Sequence, residues 1–253
     1  MISDELFQIL VQQMKSVRMA FQDLCLEQVE DGRFVVRGSL GFQAERNGKV
    51  VEAEYDIEIT IPDDYPQSPP VARETGGKIP KDFHTNLDKT LCLGAPLDVR
   101  TRFLQHPTLI DYITGQVVPV LFSHAYSELY GDLPFGELRH GGAGLLDFYK
   151  ELLGVDQDLA VLGFLRILAD DDYKGHVPCP CGSGSILRKC HGHQLLKAKE
   201  HQHARDFLGE WAAIFLYVKK QTPNADFREV VPKRIMKDLK VRSGRRKAPF
   251  RST

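Results

Sequence analysis

The chain is poor in the features that would place it in a membrane or outside the cell. No run approaches the eighteen or so apolar residues that a bilayer-spanning helix requires. The opening Met1-Ile2-Ser3-Asp4-Glu5 lacks the basic-then-apolar order of a secretory leader. Cysteines are few: Cys25, Cys92, Cys179, Cys181 and Cys190 form an odd set, three crowded into one segment and two alone. That is poor disulfide arithmetic, and it favours a reducing compartment in which the trio serves a metal. The expected location is cytoplasmic. There is no internal repeat, and no glycine-rich stretch has the strand and lysine context of a nucleotide phosphate loop, so ATP binding is not indicated. What is present, 42% hydrophobic residues among 253, suffices for a real core and excludes disorder throughout. The net charge of −1 hides an uneven distribution.

Hydrophobic spacing divides the first half of the chain into a helix and a sheet. Phe7, Leu10, Val11, Met14, Val17, Phe21 and Leu24 recur at three and four, which predicts one helix from about Asp4 to Glu27, with Cys25 a core candidate near its apolar stripe. Phe34, Val36, Leu40 and Phe42 then alternate with polar or small residues, as do Ala53, Tyr55, Ile57, Ile59 and Ile61. Asn47-Gly48 between them supplies the positive φ angles of a tight hairpin, so the pair should be antiparallel, with a third short strand near Val71 to Glu74. Four prolines between Ile61 and Pro70 force the chain out of the sheet. Helical spacing returns at Leu109, Tyr112, Ile113, Val117, Val120 and Leu121, with Gly115 and Pro119 predicting a kink. Further helices are expected at Gly144 to Leu153, Asp158 to Ala169 and Leu195 to Lys219, and Asp170 to Gly175 reads as a linker.

One helix, an antiparallel meander, Tyr65-Pro66-Gln67-Ser68-Pro69-Pro70, His84-Thr85-Asn86 and Leu91-Cys92-Leu93 form a specific order of parts, with His106-Pro107-Thr108-Leu109 as a fainter element. To about residue 125 this order resembles the ubiquitin-conjugating enzymes, in particular the bacterial E2-like proteins found beside E1-like and ubiquitin-like partners in antiphage or modification operons. The resemblance implies an α+β, UBC-like fold: an N-terminal helix, an antiparallel β-meander and C-terminal helices. It also implies that Cys92 accepts an activated C-terminus as a thioester and passes it to an amine. The chemistry suits the residue types, because a thiolate is strongly nucleophilic near neutral pH and its thioester stays activated. Asn86 would stabilise the developing oxyanion, either directly or by holding the loop in shape. His84 would bond backbone in the turn, while Tyr65 and the prolines brace the loop. Three departures stand out: Thr85 replaces the usual proline, the Asn86-to-Cys92 interval is short, and no tryptophan follows the cysteine. Asp88 and Asp98 are the nearest acids for handling the incoming amine. Leu133 to Gly144 has no family counterpart; its glycines suit either an ordinary loop or the wall of a thiol cleft.

Cys179-Pro180-Cys181-Gly182-Ser183-Gly184 followed by Cys190-His191-Gly192 supplies three thiolates and an imidazole, a set suited to tetrahedral Zn2+. A redox C-x-C pair is the rival reading. The pattern resembles the SEC-C motif, the zinc knuckle also found at the end of the bacterial preprotein-translocase ATPase. With four ligands the zinc would be structural, and the resemblance implies a docking surface for a protein or ribosome. His193, His201 and His203 read as solvated. The tail from Lys233 to Arg251 is strongly basic with a single acid, Asp238. It can meet nucleic-acid phosphates or an acidic protein surface, though no base-reading motif accompanies it.

The expected organisation is a UBC-like domain at 1–154, a helical linker at 155–175, the knuckle at 176–194 and a helix with basic tail at 195–253. The expected partners are an E1-like activating enzyme, a ubiquitin-like modifier and a target protein. A non-catalytic platform akin to RWD domains, or a nucleic-acid or ribosome factor, are the alternatives.

Overall fold

A computed structural model describes residues 2–80, 83–135 and 139–236. The chain divides into two compact units, 1–138 and 139–253. No described helix is long and apolar enough to cross a membrane.

The first unit opens with helix α1, Ile2–Ala20. Its buried stripe is Leu6, Leu10, Met14 and Val17; Phe7 and Val11 lie on the flank, more than a third exposed. The helix ends earlier than its hydrophobic spacing predicts. Phe21 and Leu24 are buried as that spacing requires, but from a turn, and Cys25 begins strand β1, Cys25–Gln28. Cys25 is therefore exposed on an edge strand and is not a helical core residue. Spacing cannot separate these outcomes, because two apolar residues three apart can be buried by a turn as well as by another helical turn.

Strands β2, Phe34–Arg46, β3, Lys49–Thr60, and β4, Val71–Glu74, complete an antiparallel meander in the order β1-β2-β3-β4. Arg46 pairs with Lys49 across Asn47 and Gly48, which take φ of 53° and 75°, the left-handed values this hairpin turn needs. One face of the sheet buries Phe34, Val36, Leu40, Tyr55, Ile57 and Ile59 with α1 in a single core. The other face carries charge: Arg37 pairs with Glu27 and Glu58, and Glu58 also with Arg73, crossing all four strands. Such half-exposed pairs contribute little to stability individually.

After the proline-rich turn and a loop come α2, Pro96–Gln105, and α3, Leu109–Tyr112. Five π-helical residues, Ile113–Val117, then lead into α4, Val118–Tyr130. The disturbance expected from Gly115 and Pro119 thus takes the form of a π turn: Pro119 has no N–H to donate, and the Val118 N–H reaches back to Ile113.

The second unit is helical: α5, Gly141–Leu153, α6, Asp158–Ala169, α7, Gly192–His201, and α8, Ala204–Gln221. Nine of the twelve residues of α6 are buried, which marks a helix surrounded on all sides. Residues 158–169 are therefore the centre of this unit, where the sequence suggested a linker, and α5 belongs with α8 instead of closing the first domain. Gly142 explains part of that docking, since a Cβ there would lie 2.2 Å from the Ala213 carbonyl. The glycines of 141–144 thus open a helix and do not form an ordinary loop. The long helix expected over 195–219 is broken at Gln202 and His203. Within the acidic segment after α6, Asp171 pairs with Lys199, and Asp172 with Lys174 and Lys233.

Candidate functional site

The first constellation is a tight loop pinned to the sheet. Thr85 and Leu91 bridge as antiparallel partners. The Cys92 N–H donates to the His84 carbonyl (2.7 Å), the Asn86 N–H to Thr90 O (2.8 Å), and the Lys89 N–H to Asn86 O (2.9 Å). Leu91 N–H donates to Ala72 O (2.8 Å), so this small hairpin hangs from the edge strand β4. Leu91 and Thr90 are buried, Cys92 is half-buried, and Leu87 at the tip is fully exposed.

Asn86 holds this loop through its side chain: Nδ2 donates to Thr90 Oγ1 (2.9 Å) and, more weakly, to Leu91 O (3.4 Å). Of the two roles the residue type allows, shaping the loop is the one its bonds express. His84 contributes its carbonyl to the Cys92 N–H, and its ring lies edge-on to Phe83. The two nearby acids are both engaged. Asp88 accepts from Thr90 Oγ1 (2.7 Å) and Thr90 N (3.1 Å), and the Thr90 hydroxyl above all holds its carboxyl below the usual range. Asp98 pairs with Arg102 (3.0 Å), whose Nη2 donates to Leu93 O (2.9 Å) and so fixes the chain just past Cys92.

The proline-rich turn braces the same region. The Tyr65 hydroxyl donates to Gln13 Oε1, which also accepts the Leu109 N–H (2.7 Å), so one amide of α1 joins the turn to the start of α3. Arg100 of α2 donates to Ser68 Oγ (2.7 Å). Thr108 caps α3 by accepting the Asp111 N–H (3.2 Å).

Sequence reasoning missed His124. This residue of α4 is 5% exposed, its Nδ1 lies 2.8 Å from the Tyr55 hydroxyl, and its ring stands edge-on to Phe83 at 4.9 Å. It therefore packs beneath the residue that leads into the Cys92 loop. Its Nε2 is buried without a hydrogen-bond partner, and burial depresses its pKa against the opposing pull of Glu128 and Glu74. The available signal was its place three residues after Leu121 on the apolar stripe.

The second constellation is a knuckle built from a short antiparallel turn. Cys179 N–H donates to Ser185 O (2.9 Å), Leu187 N–H to Val177 O (2.9 Å), and Pro178 bridges Ile186. Gly182 and Gly184 take φ of 77° and 75° in the turn between them. A 3-10 turn, Leu187–Lys189, then delivers Cys190 and His191 to the start of α7.

No protein-family profile matches this chain, and no curated protein does.

The geometry of the knuckle speaks for itself. The ligand atoms of Cys179, Cys181, Cys190 and His191 all lie within 4.8 Å of one another. His191 Nδ1 is 3.3 Å from Cys179 Sγ and 3.1 Å from Cys190 Sγ, and the sulfurs of Cys181 and Cys190 are 3.6 Å apart. Zinc–sulfur bonds of about 2.3 Å in a tetrahedron put sulfurs about 3.8 Å apart, so the cluster can hold an ion such as zinc with little adjustment. His191 Nε2 lies 2.8 Å from the Leu153 carbonyl. A carbonyl can only accept, so the proton sits on Nε2 and Nδ1 is free to ligate. Burial pushes the Cys179 thiol up to about 11. At Cys181 burial pulls the same way, but the Ser183 hydroxyl, 3.2 Å from the sulfur, and the Ser183 N–H outweigh it and bring the thiol down to about 6. Ligation requires thiolates, so metal binding must release protons and strengthen as pH rises.

Proposed function

We propose that the first unit is a UBC-like domain that accepts a ubiquitin-like modifier, or another activated C-terminus, on Cys92 and transfers it to an amine of a target protein. An E1-like activating enzyme would supply the thioester. The single observation that carries this reading is the mounting of Cys92. A half-buried sulfur sits in irregular chain directly after a hairpin fastened to β4, with Arg102 holding the chain on its far side. A thiol that was merely filling core would need none of this. Thioester exchange forms a bond from Cys92 sulfur to the acyl carbon, expels the donor thiol, and leaves an acyl group an amine can attack. In the second unit, Cys179, Cys181, Cys190 and His191 complete a zinc shell with no open position, so the ion acts structurally in a SEC-C-like docking motif.

The test uses the full-length, zinc-loaded protein and a synthetic peptide thioester ending in Gly-Gly, with mass spectrometry locating the acyl group. Acylation is expected at Cys92 in preference to the exposed Cys25, and Cys92→Ala should abolish it while Cys25→Ala leaves it unchanged. Labelling confined to Cys25 would overturn the proposal.

One observation favours a second reading, a non-catalytic interaction platform on the same fold. The Asn86 amide is already bonded to Thr90 and Leu91 within its own loop. On that reading Cys92 is not acylated in preference to Cys25, and Asn86→Ala does no more than loosen the loop.

A further inference from the structure

The three sulfurs of the knuckle are not equivalent. Cys179 is 5% exposed and belongs to the paired part of the knuckle, where its N–H donates to Ser185 O at 2.9 Å. Cys181 and Cys190 are only half-buried. Cys181 stands in the turn beside Gly182, whose φ is 77°, and Cys190 follows the 3-10 turn that ends at Lys189. Their sulfurs lie 3.6 Å apart. The hydroxyl of the exposed Ser183 reaches both, at 3.2 Å from Cys181 Sγ and 3.5 Å from Cys190 Sγ. An exposed residue that touches both sulfurs puts that edge of the cluster at the solvent boundary.

Thiolates at a solvent-facing edge are open to oxidation, whereas a sealed one is inert. We propose that Cys181 and Cys190 are the site of a reversible disulfide, formed by a peroxide, that competes with the metal for the same sulfurs. One thiolate attacks the peroxide: a sulfur–oxygen bond forms, the oxygen–oxygen bond breaks, and hydroxide leaves with the sulfur oxidised to sulfenic acid. The other thiolate then attacks that sulfur, so that a sulfur–sulfur bond forms, the sulfur–oxygen bond breaks and a second hydroxide leaves. In sum, two thiolates, one peroxide and two protons become one disulfide and two waters. The sulfurs must close from 3.6 Å to about 2.05 Å, and the glycine-flanked turn that carries Cys181 can supply the movement. A Cys179–Cys181 link would instead have to close around Pro180 alone, whose ring fixes φ. Once Cys181 and Cys190 are joined, only Cys179 and His191 remain as ligands, too few for a closed tetrahedral shell. The ion then leaves, a consequence that rests on the zinc reading given above.

Titration of the full-length, zinc-loaded protein with hydrogen peroxide tests this, with a chromogenic chelator reading released zinc. Free thiols are alkylated at each point and disulfides are located by peptide mapping and mass spectrometry. One zinc should be released for each Cys181–Cys190 disulfide formed, and the exposed Cys25 should still be recovered as an alkylated thiol when half the zinc is free. Dithiothreitol followed by added zinc should restore both the thiols and the bound metal. A link from Cys179 to either neighbour, a disulfide between molecules, or sulfinic acid that dithiothreitol leaves in place overturns the proposal. So does zinc release that begins only after the Cys25 thiol is lost, or zinc that stays bound while the disulfide forms. Reduced protein that metal analysis finds without zinc defeats the zinc reading instead, and the same peptide map still decides whether Cys181 and Cys190 are the pair that closes.

Discussion

At the scale of single residues, His124 couples the interior of the first unit to pH. Its ring is sealed by Tyr55 and Phe83, and Nε2 has no acceptor for a second proton. Protonation would place a charge where neither water nor a partner meets it, so burial lowers the folded-state pKa below 6.5. The sign follows from linkage. Between the folded pKa and 6.5 the unfolded chain binds more protons, so stability is complete above 6.5, falls as the pH falls through that window, and levels off below the folded pKa. His124→Phe should flatten that slope in thermal melts of the first unit followed across the window. The lost Tyr55 hydrogen bond should lower its stability at neutral pH by about 1–2 kcal/mol. A parent and variant with parallel pH profiles would remove His124 from this role.

Individual elements show how far residue patterns reach. The β2–β3 hairpin was legible in full, because alternation sets the buried face and Asn47-Gly48 sets the register. The cluster of Cys179, Cys181, Cys190 and His191 was equally plain, since thiol and imidazole types at this spacing suit a metal ion once the fold brings them together. β1 was not legible: four residues after a buried stripe carry no period of their own, and only pairing with β2 makes Cys25–Gln28 a strand. The central position of α6 was obscured for the opposite reason, as its apolar residues face every direction and show no preferred side. The bonding of the Asn86 amide depends on where Thr90 and Leu91 fold back, which spacing cannot give. The basic tail from Lys237 to Arg251 lies outside the described residues. Gly192 closes the Cys190-His191-Gly192 run, but its packing was not legible there. Adjacent to His191, it opens α7, and an added Cβ would lie 2.4 Å from the Tyr173 hydroxyl and 2.9 Å from the Leu187 carbonyl. Gly192→Ala should therefore cost about 1–3 kcal/mol through overpacking. It should also weaken zinc retention in a competition titration with a chromogenic chelator, whereas Gly209→Ala, which meets nothing within 4 Å, should retain zinc like the parent.

For the whole molecule, two cores imply two responses to metal. The first unit closes around a sheet-and-helix core that contains none of the four ligands. In the second unit the His191 ring packs 4.9 Å from Phe164 of α6 and its Nε2 holds the Leu153 carbonyl at the end of α5, so the knuckle is tied to two helices. Trp211 reports on this unit alone: it is the single tryptophan of the chain, 2% exposed, and its Nε1 donates to Val230 O at 2.9 Å. Chelation at neutral pH should accordingly lower the melting transition seen by tryptophan fluorescence and shift emission to the red. Far-ultraviolet circular dichroism should retain a later transition from the first unit. A structural zinc site contributes about 10–16 kcal/mol in peptides that have little else to fold around. The effect here should be smaller, because Leu162, Phe164, Phe207 and Ile214 are fully buried within the unit and continue to favour folding. Cys190→Ser should reproduce the chelated state without chelator, since a hydroxyl is a poor ligand for zinc beside two thiolates. If metal analysis confirms removal yet tryptophan emission and its transition stay where they were, the ion is peripheral, and the helices of the second unit hold together without it.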